Sequence, residues 1–264
     1  IIEIMKIYRF FSIIFTVFSI LQSTVSAQEI KTDSASIISK DSLTTQQSKE
    51  YNLNYKKLII PGVLIGYGVA SLTIDGLKQL NLSTRYEISE HKPNHIKLDN
   101  YTQYAPALLV YGLNLAGVEG KHNLKDRTII YVTSQMISAA MVLPLKSLTK
   151  EERPDGSNHQ SFPSGHTAAA FSSAQFMFRE YKDTNFWLSI SGYPIAVFTG
   201  VYRALNNKHW VGDIVAGAGF GILSTEMAYW LYPKINKWIF KNKENSQTII
   251  FRHIIKTKDL DLLW

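Results

Sequence analysis

Cysteine is absent from the 264 residues. That excludes a disulfide, a thiolate metal site and a cysteine nucleophile, while leaving an oxidising compartment open. Acidic residues are outnumbered: 21 Asp and Glu against 28 Lys and Arg give a formal charge of +7. Such a balance favours anionic partners, whether a membrane surface, a phosphorylated ligand or nucleic acid. Nucleic acid is the weakest of these, because no basic stripe interleaved with aromatics occurs before the C-terminal tail. The chain also lacks an internal repeat and a convincing carboxylate cluster for a metal. With 45% hydrophobic residues and a mean hydropathy of -0.05, composition alone separates neither a membrane protein from a soluble one nor one class of activity from another.

The pattern along the chain says more. Met5, Lys6 and Arg9, the run "FFSIIFTVFSIL" and the small residues "STVSAQ" follow the plan of a secretory signal, so residues 1–27 are expected to be a signal peptide ending at Ala27, with an uncleaved anchor as the alternative. Residues 28–57, rich in Ser, Thr, Lys, Gln and Asp, read as a polar linker. Six apolar segments follow: Leu58 to Asp75, Tyr101 to Val118, Thr128 to Leu148, His166 to Arg179, Phe186 to Leu205 and Val211 to Tyr232. Each approaches the ~20 residues that cross a bilayer, although Ser, Thr, Gln and Gly dilute several of them. The expected fold is all-α, a six-helix bundle embedded in a membrane over residues 58–235, followed by a basic C-terminal tail at 236–264 that pairs as a strand or lies on a surface. A soluble six-helix bundle is the alternative.

Basic residues cluster in "GKHNLKDR", "REYKD" and "PKINKWIFKNK", which assigns those ends to the cytoplasm and the opposite ends to the outside. A cleaved signal conflicts with this, since it starts the first segment outside. The conflict resolves if that segment, with Pro61 and three glycines, fails to cross, or if the whole bundle lies outside the cytoplasm.

Three clusters fall at the same predicted ends of the helices. In "KSLTKEERP", Lys146 and Arg153 offer an ammonium and a guanidinium fork to one anion, with Pro154 turning the arginine out of helical geometry. Interfacial anchors use the same residues. In "SFPSGH", Ser164 is a candidate N-cap, Gly165 admits close approach to the backbone, and His166 reaches an anion held by the helix N-terminus. A plain capped helix has the same signature. In "YRALNNKHWVGD", Arg203 supplies a second fork, and His209 and Asp213 share a face, so that the carboxylate can fix the imidazole tautomer. Simple helix capping accounts for that pair as well.

Taken together, Lys146, Arg153 and Pro154, then Pro163 to His166, then Arg203, His209 and Asp213 spell K-x6-RP, PSGH and R-x5-H-x3-D. The sequence resembles the type 2 phosphatidic-acid phosphatase and vanadium haloperoxidase superfamily over about Leu58 to Tyr232. It departs at Tyr202, where the third motif usually carries Ser, so a phosphate-contacting hydroxyl is lost or replaced by the phenol. The resemblance implies His209 as nucleophile, Asp213 as its orienting carboxylate and His166 as acid toward the leaving group. Lys146, Arg153, Arg203, Ser164 and Gly165 are then the phosphate-binding residues. It implies no metal and no cofactor. The implied activity is a phosphomonoesterase or diphosphatase acting on a lipid phosphate at the outer face of the inner membrane, with a phosphorylated lipid or another phosphate ester as partner. A soluble exported acid phosphatase in the periplasm, a vanadate-dependent haloperoxidase and a non-catalytic membrane protein with a relic anion site are the alternatives. Oligomeric state is left open.

Overall fold

A computed structural model describes residues 51–91 and 97–260, with side chains described as far as Trp238. The expected signal peptide and nearly all of the linker lie outside the described residues. In chain order the helices are α1 (Lys56–Ser71), α2 (Asp75–His91), α3 (Asp99–Thr102), α4 (Ala105–Leu115), α5 (Leu124–Thr149), α6 (Gly165–Tyr181), α7 (Phe186–Ile190), α8 (Gly192–Leu205) and α9 (Val211–Leu260). Among the described residues there is no strand, and the all-α expectation holds.

Helix α6 is the axis of the bundle. Its run of Ala168, Ala170, Ser172, Ser173 and Ala174 is buried on every side, and small side chains let neighbouring backbones come close where hydrocarbon outside a bundle offers no hydrophobic drive to associate. Helix α9 uses this. A Cβ added at Gly217 would stand 2.5 Å from the Ser164 carbonyl, and one at Gly221 2.2 Å from that of Ala168. The opposite face of α9 admits α1, for Gly212 lies where a Cβ would overlap the Ser71 hydroxyl. Ala168, Ala216, Phe220, Val142 and Phe162 close the core at one end, and Phe176, Met177, Tyr181, Ile130 and Tyr229 at the other.

The sequence predicts six near-spanning segments; by length and composition two helices qualify, α5 and the Val211–Trp238 part of α9, with α1 and α2 a third if that pair, bent by 85°, is one span. Helix α5 rims the bundle and turns Val132, Met136 and Leu143 outward. The second and fifth segments are each broken. Turns separate α3 from α4, where Pro106 occupies the first turn, and α7 from α8 at Ser191. There Gly192 passes so near α6 that a Cβ would lie 3.2 Å from the Ala174 Cα. Helix α2, polar and unanticipated, sets Asn81 against the Gly212 amide at 3.2 Å. The tail, expected to pair as a strand or lie on a surface, continues α9 as helix to Leu260 and so forms no strand there.

The three basic loops meet at one end. Lys121 and Asp183 pair at 3.3 Å, and the His122 ring packs on Tyr229 and Tyr232. Two buried carboxylates are satisfied there. Glu180 accepts from the His122 amide and ring, Arg127 and Tyr229; Glu226 accepts from Arg179, Gln175 and Tyr51. Buried charges persist only with partners of this kind. The stretch from Tyr51, beside Glu226, through α1 to Ser71, beside Gly212, runs between the two ends of the bundle.

Candidate active site

The three motif clusters gather at the opposite end. Helix α5 stops at Lys150, which adopts the left-handed conformation (φ 49) as C-cap. One turn earlier Lys146 donates to the carbonyls of Gln160 (2.7 Å) and Ser161 (3.1 Å), so it anchors the returning loop with two of its three N–H donors. Within that loop the Arg153 amide bonds the Asn158 carbonyl at 3.0 Å around Gly156, whose φ of 68 suits glycine. The loop is tied to the α8–α9 connection by Lys208 on Asp155 and by the Trp210 indole on the Glu152 carbonyl at 2.7 Å.

Ser164 caps α6: its hydroxyl accepts from the Thr167 amide at 3.4 Å and shares a hydrogen bond with the Thr167 hydroxyl at 2.9 Å. It is fully buried. A Cβ at Gly165 would meet only Val142, at 3.9 Å, so nothing in the protein requires glycine there and the space at the helix start is open. His166 follows, its Nε2 2.9 Å from the Asn100 Oδ1 of α3.

Arg203, in the last turn of α8, donates to the buried Asp99, which also accepts from Asn206 at 3.2 Å. Asn207, left-handed at φ 53, closes the helix and delivers His209 to the mouth of α9. The His209 Nδ1 lies 3.4 Å from the Asp213 Oδ2, and that oxygen also accepts from the Trp210 amide at 2.9 Å and from the Ser161 hydroxyl. The carboxylate is thus fixed from three sides. With Nδ1 facing it, the imidazole carries its hydrogen there and presents Nε2 unprotonated.

Electrostatically the cluster is strongly cationic. The Nε atoms of Arg153 and Arg203 are buried without a hydrogen-bond partner, a costly state for a charged donor. Burial and then the Arg203 charge depress the Arg153 pKa. Burial first, then Lys146, Arg203 and Arg153, push His209 well below the usual histidine range; burial and Arg203 bring His166 down to about 4. Both rings are neutral at pH 7. A cavity of about 610 Å³ opens beside them, walled by Arg153, Arg203, Asp99, Asn100, Lys97 and Lys208. Of the expected site residues only Arg153 and Arg203 line it; Lys146, Ser164, Gly165, His166, His209 and Asp213 are not part of its wall. Tyr202 also lies off it, stacked on Phe198 with ring centroids 4.5 Å apart.

Residues 127–237 match the model of the PAP2 superfamily. That region of the chain is similar to the PAP2 superfamily. Among curated proteins, a lipid A 1-phosphatase of Porphyromonas gingivalis is 36% identical over 138 residues, 52% of this chain and 31% of its own length. The bacitracin transport permease protein BcrC of Bacillus licheniformis is 36% identical over 76 residues, 29% of this chain and 36% of its own. The chain thus spans about a third of the length of the curated relatives it matches. Of solved structures, LpxE of Aquifex aeolicus aligns with a TM-score of 0.42 at 22% identity, over 56% of this chain and 94% of that one. The first transmembrane PAP2-type phosphatidylglycerolphosphate phosphatase from Bacillus subtilis aligns with a TM-score of 0.47 at 18% identity, over 70% and 98%.

All eight expected site residues of this region lie at the same end of the bundle. Sequence reasoning missed Asp99, Asn100 and Ser161. The first two stand in "KLDNYT", whose only signal is an acid and an amide at the start of an apolar segment, and Ser161 precedes a motif without belonging to it.

Proposed function

We propose that this chain is a membrane phosphatase that removes phosphate from a lipid-linked substrate through a phosphohistidine on His209. The observation that carries the reading is the pair of buried, unpartnered guanidinium Nε atoms beside a histidine whose other nitrogen is committed to Asp213. The Nε2 lone pair attacks phosphorus, the bond to the leaving oxygen breaks, and His166 supplies that oxygen with a proton. Asp213 stabilises the positive imidazole that results. Arg153, Arg203, Lys146 and the Gly165 amide hold the equatorial oxygens, where charge accumulates during transfer. Water activated by the now neutral His166 then displaces the His209 nitrogen and releases phosphate.

The polar wall of the cavity suits a hydrophilic head group on the leaving side, and the relative named as a lipid A 1-phosphatase supports a glycolipid 1-phosphate as the leading substrate. The test is phosphate release by the purified full-length protein in detergent from lipid A, phosphatidylglycerophosphate, phosphatidate, polyprenyl diphosphate and an aryl phosphate. Release inhibited by orthovanadate, which adopts the five-coordinate geometry of the transferring phosphoryl group, is expected, with lipid A preferred. No release from any of them overturns the reading.

The site faces away from the cytoplasm in this proposal, because the basic loops share the far end. That orientation also places Tyr51 on the cytoplasmic side, which a leader cleaved at Ala27 does not allow. In a chain without cysteine the question has a clean readout: on intact spheroplasts an impermeant maleimide should label Ser157→Cys and spare Glu119→Cys. Labelling of Glu119→Cys alone reverses the orientation.

A further inference from the structure

We infer that the short helix α3 is a fourth component of the site, in which Asn100 positions the ring of His166 and Asp99 positions Arg203. The inference rests on the phosphatase reading above. An amide oxygen only accepts, so the 2.9 Å contact between Asn100 Oδ1 and His166 Nε2 places a hydrogen on Nε2 and leaves Nδ1 as the nitrogen that faces a phosphate. In the protonated ring both nitrogens carry hydrogen. When Nδ1–H passes its proton to the leaving oxygen, the ring relaxes to the neutral Nε2–H tautomer that Asn100 already holds, and Nδ1 regains a lone pair with which to take a proton from the attacking water. No rotation of the ring is needed between the two half-reactions. Orienting partners of this kind are typically worth about 10- to 100-fold where they act on metal-bound histidines.

Asp99 does the corresponding work for Arg203. Its carboxylate is 1% exposed and accepts from Arg203 and from Asn206. Holding one Nη leaves the Arg203 Nε as the buried donor without a partner. The helix that carries both residues is itself fixed. The Thr102 hydroxyl bonds that of Thr199 on α8 at 2.8 Å, and the Ser173 hydroxyl of α6 bonds the Gln103 carbonyl at 3.0 Å. Four charged groups from separate elements face the His166 ring: Arg203 on α8, Arg153 in the α5–α6 loop and Lys146 on α5 oppose its protonation, and Asp99 on α3 favours it.

The test uses the full-length enzyme with an alkyl and an aryl phosphate monoester. Asn100 is exposed, so its replacement leaves the core intact. Asn100→Leu is expected to lower kcat/KM, which reports steps up to phosphoenzyme formation, on the alkyl ester about 10- to 100-fold and on the aryl ester by less than about threefold, because only the alkyl leaving group needs the proton. Asn100→Asp keeps the acceptor and adds a negative charge, so it restores most of the alkyl turnover and moves the alkaline limb of kcat upward by roughly one pH unit. Equal losses on both esters, or no loss, overturn the positioning role while leaving the phosphatase reading in place. If Asn100→Leu fails to fold, Asn100→Asp decides alone, an unmoved limb counting against the proposal. A wild-type enzyme inactive on both esters counts against the phosphatase reading itself.

Discussion

His209→Ala abolishes phosphate release, with an expected loss on the order of 10⁴- to 10⁶-fold on alkyl and aryl esters alike, the scale seen when a nucleophile is removed and only binding and charge stabilisation remain. No other described imidazole is held by a carboxylate at this mouth; the ring lies 3.4 Å from Asp213 and is 3% exposed. The phosphoenzyme gives the readout that separates a lost nucleophile from a damaged fold. Quenching the wild type in alkaline detergent should trap a phosphate that is stable to base and lost on later acidification, the signature of a phosphoramidate, and His209→Ala should show none while still binding orthovanadate. Asp213→Asn should retain a trace of the trapped species and lose about 10³- to 10⁴-fold in rate, because an amide that donates to Nδ1 forces the hydrogen onto Nε2 and occupies the attacking lone pair. Undiminished turnover by His209→Ala rejects the phosphohistidine.

Motif residues were legible because phosphate chemistry leaves few ways to write them: cationic forks, a glycine at a helix mouth, and a histidine four residues before an aspartate. Their convergence was legible too, since apolar segments read as alternating in direction put the three clusters at the same ends. What escaped is polarity used locally. Helix α2 has Lys, Asn, Arg and Glu through its length and no apolar stripe, and it is held in place by contacts such as Asn81 on the Gly212 amide, a tertiary bond that no periodicity announces. The break at Ser191 lies inside a continuous apolar run, where close passage of α6 decides the geometry and hydropathy is silent. Asp99 is the instructive miss. An aspartate at the start of a helix reads as an ordinary first-turn charge; only the fold shows Arg203, 104 residues away, donating to it.

His166→Ala is expected to divide substrates by leaving group. With an alkyl ester, whose departing alkoxide is a strong base, kcat/KM falls by about 10²- to 10⁴-fold, the usual worth of a positioned general acid; with an aryl ester the loss in kcat/KM is small, while kcat falls on both because the attacking water has lost its base. The pH profile follows from where the protons sit. His166 titrates at about 4 in the empty site because burial and then Arg203 oppose its charge, and His209 lies well below its ordinary value for the same reasons. At neutral pH the free enzyme therefore has a competent nucleophile and no acid proton. That proton arrives with the substrate: a monoester carries it as the monoanion below its second ionisation near pH ~6, and as the bound phosphate becomes a dianion its charge reverses the local field and transfers the proton to the ring. For the alkyl ester kcat/KM should fall tenfold per unit above about pH 6, as the proton-bearing substrate disappears. The aryl ester needs no such proton, so its profile should stay level into the alkaline range. Alkyl activity that rises between pH 7 and 9 rules out an acid supplied in this way, and equal losses in kcat/KM on the two esters in His166→Ala remove that histidine from the proton path.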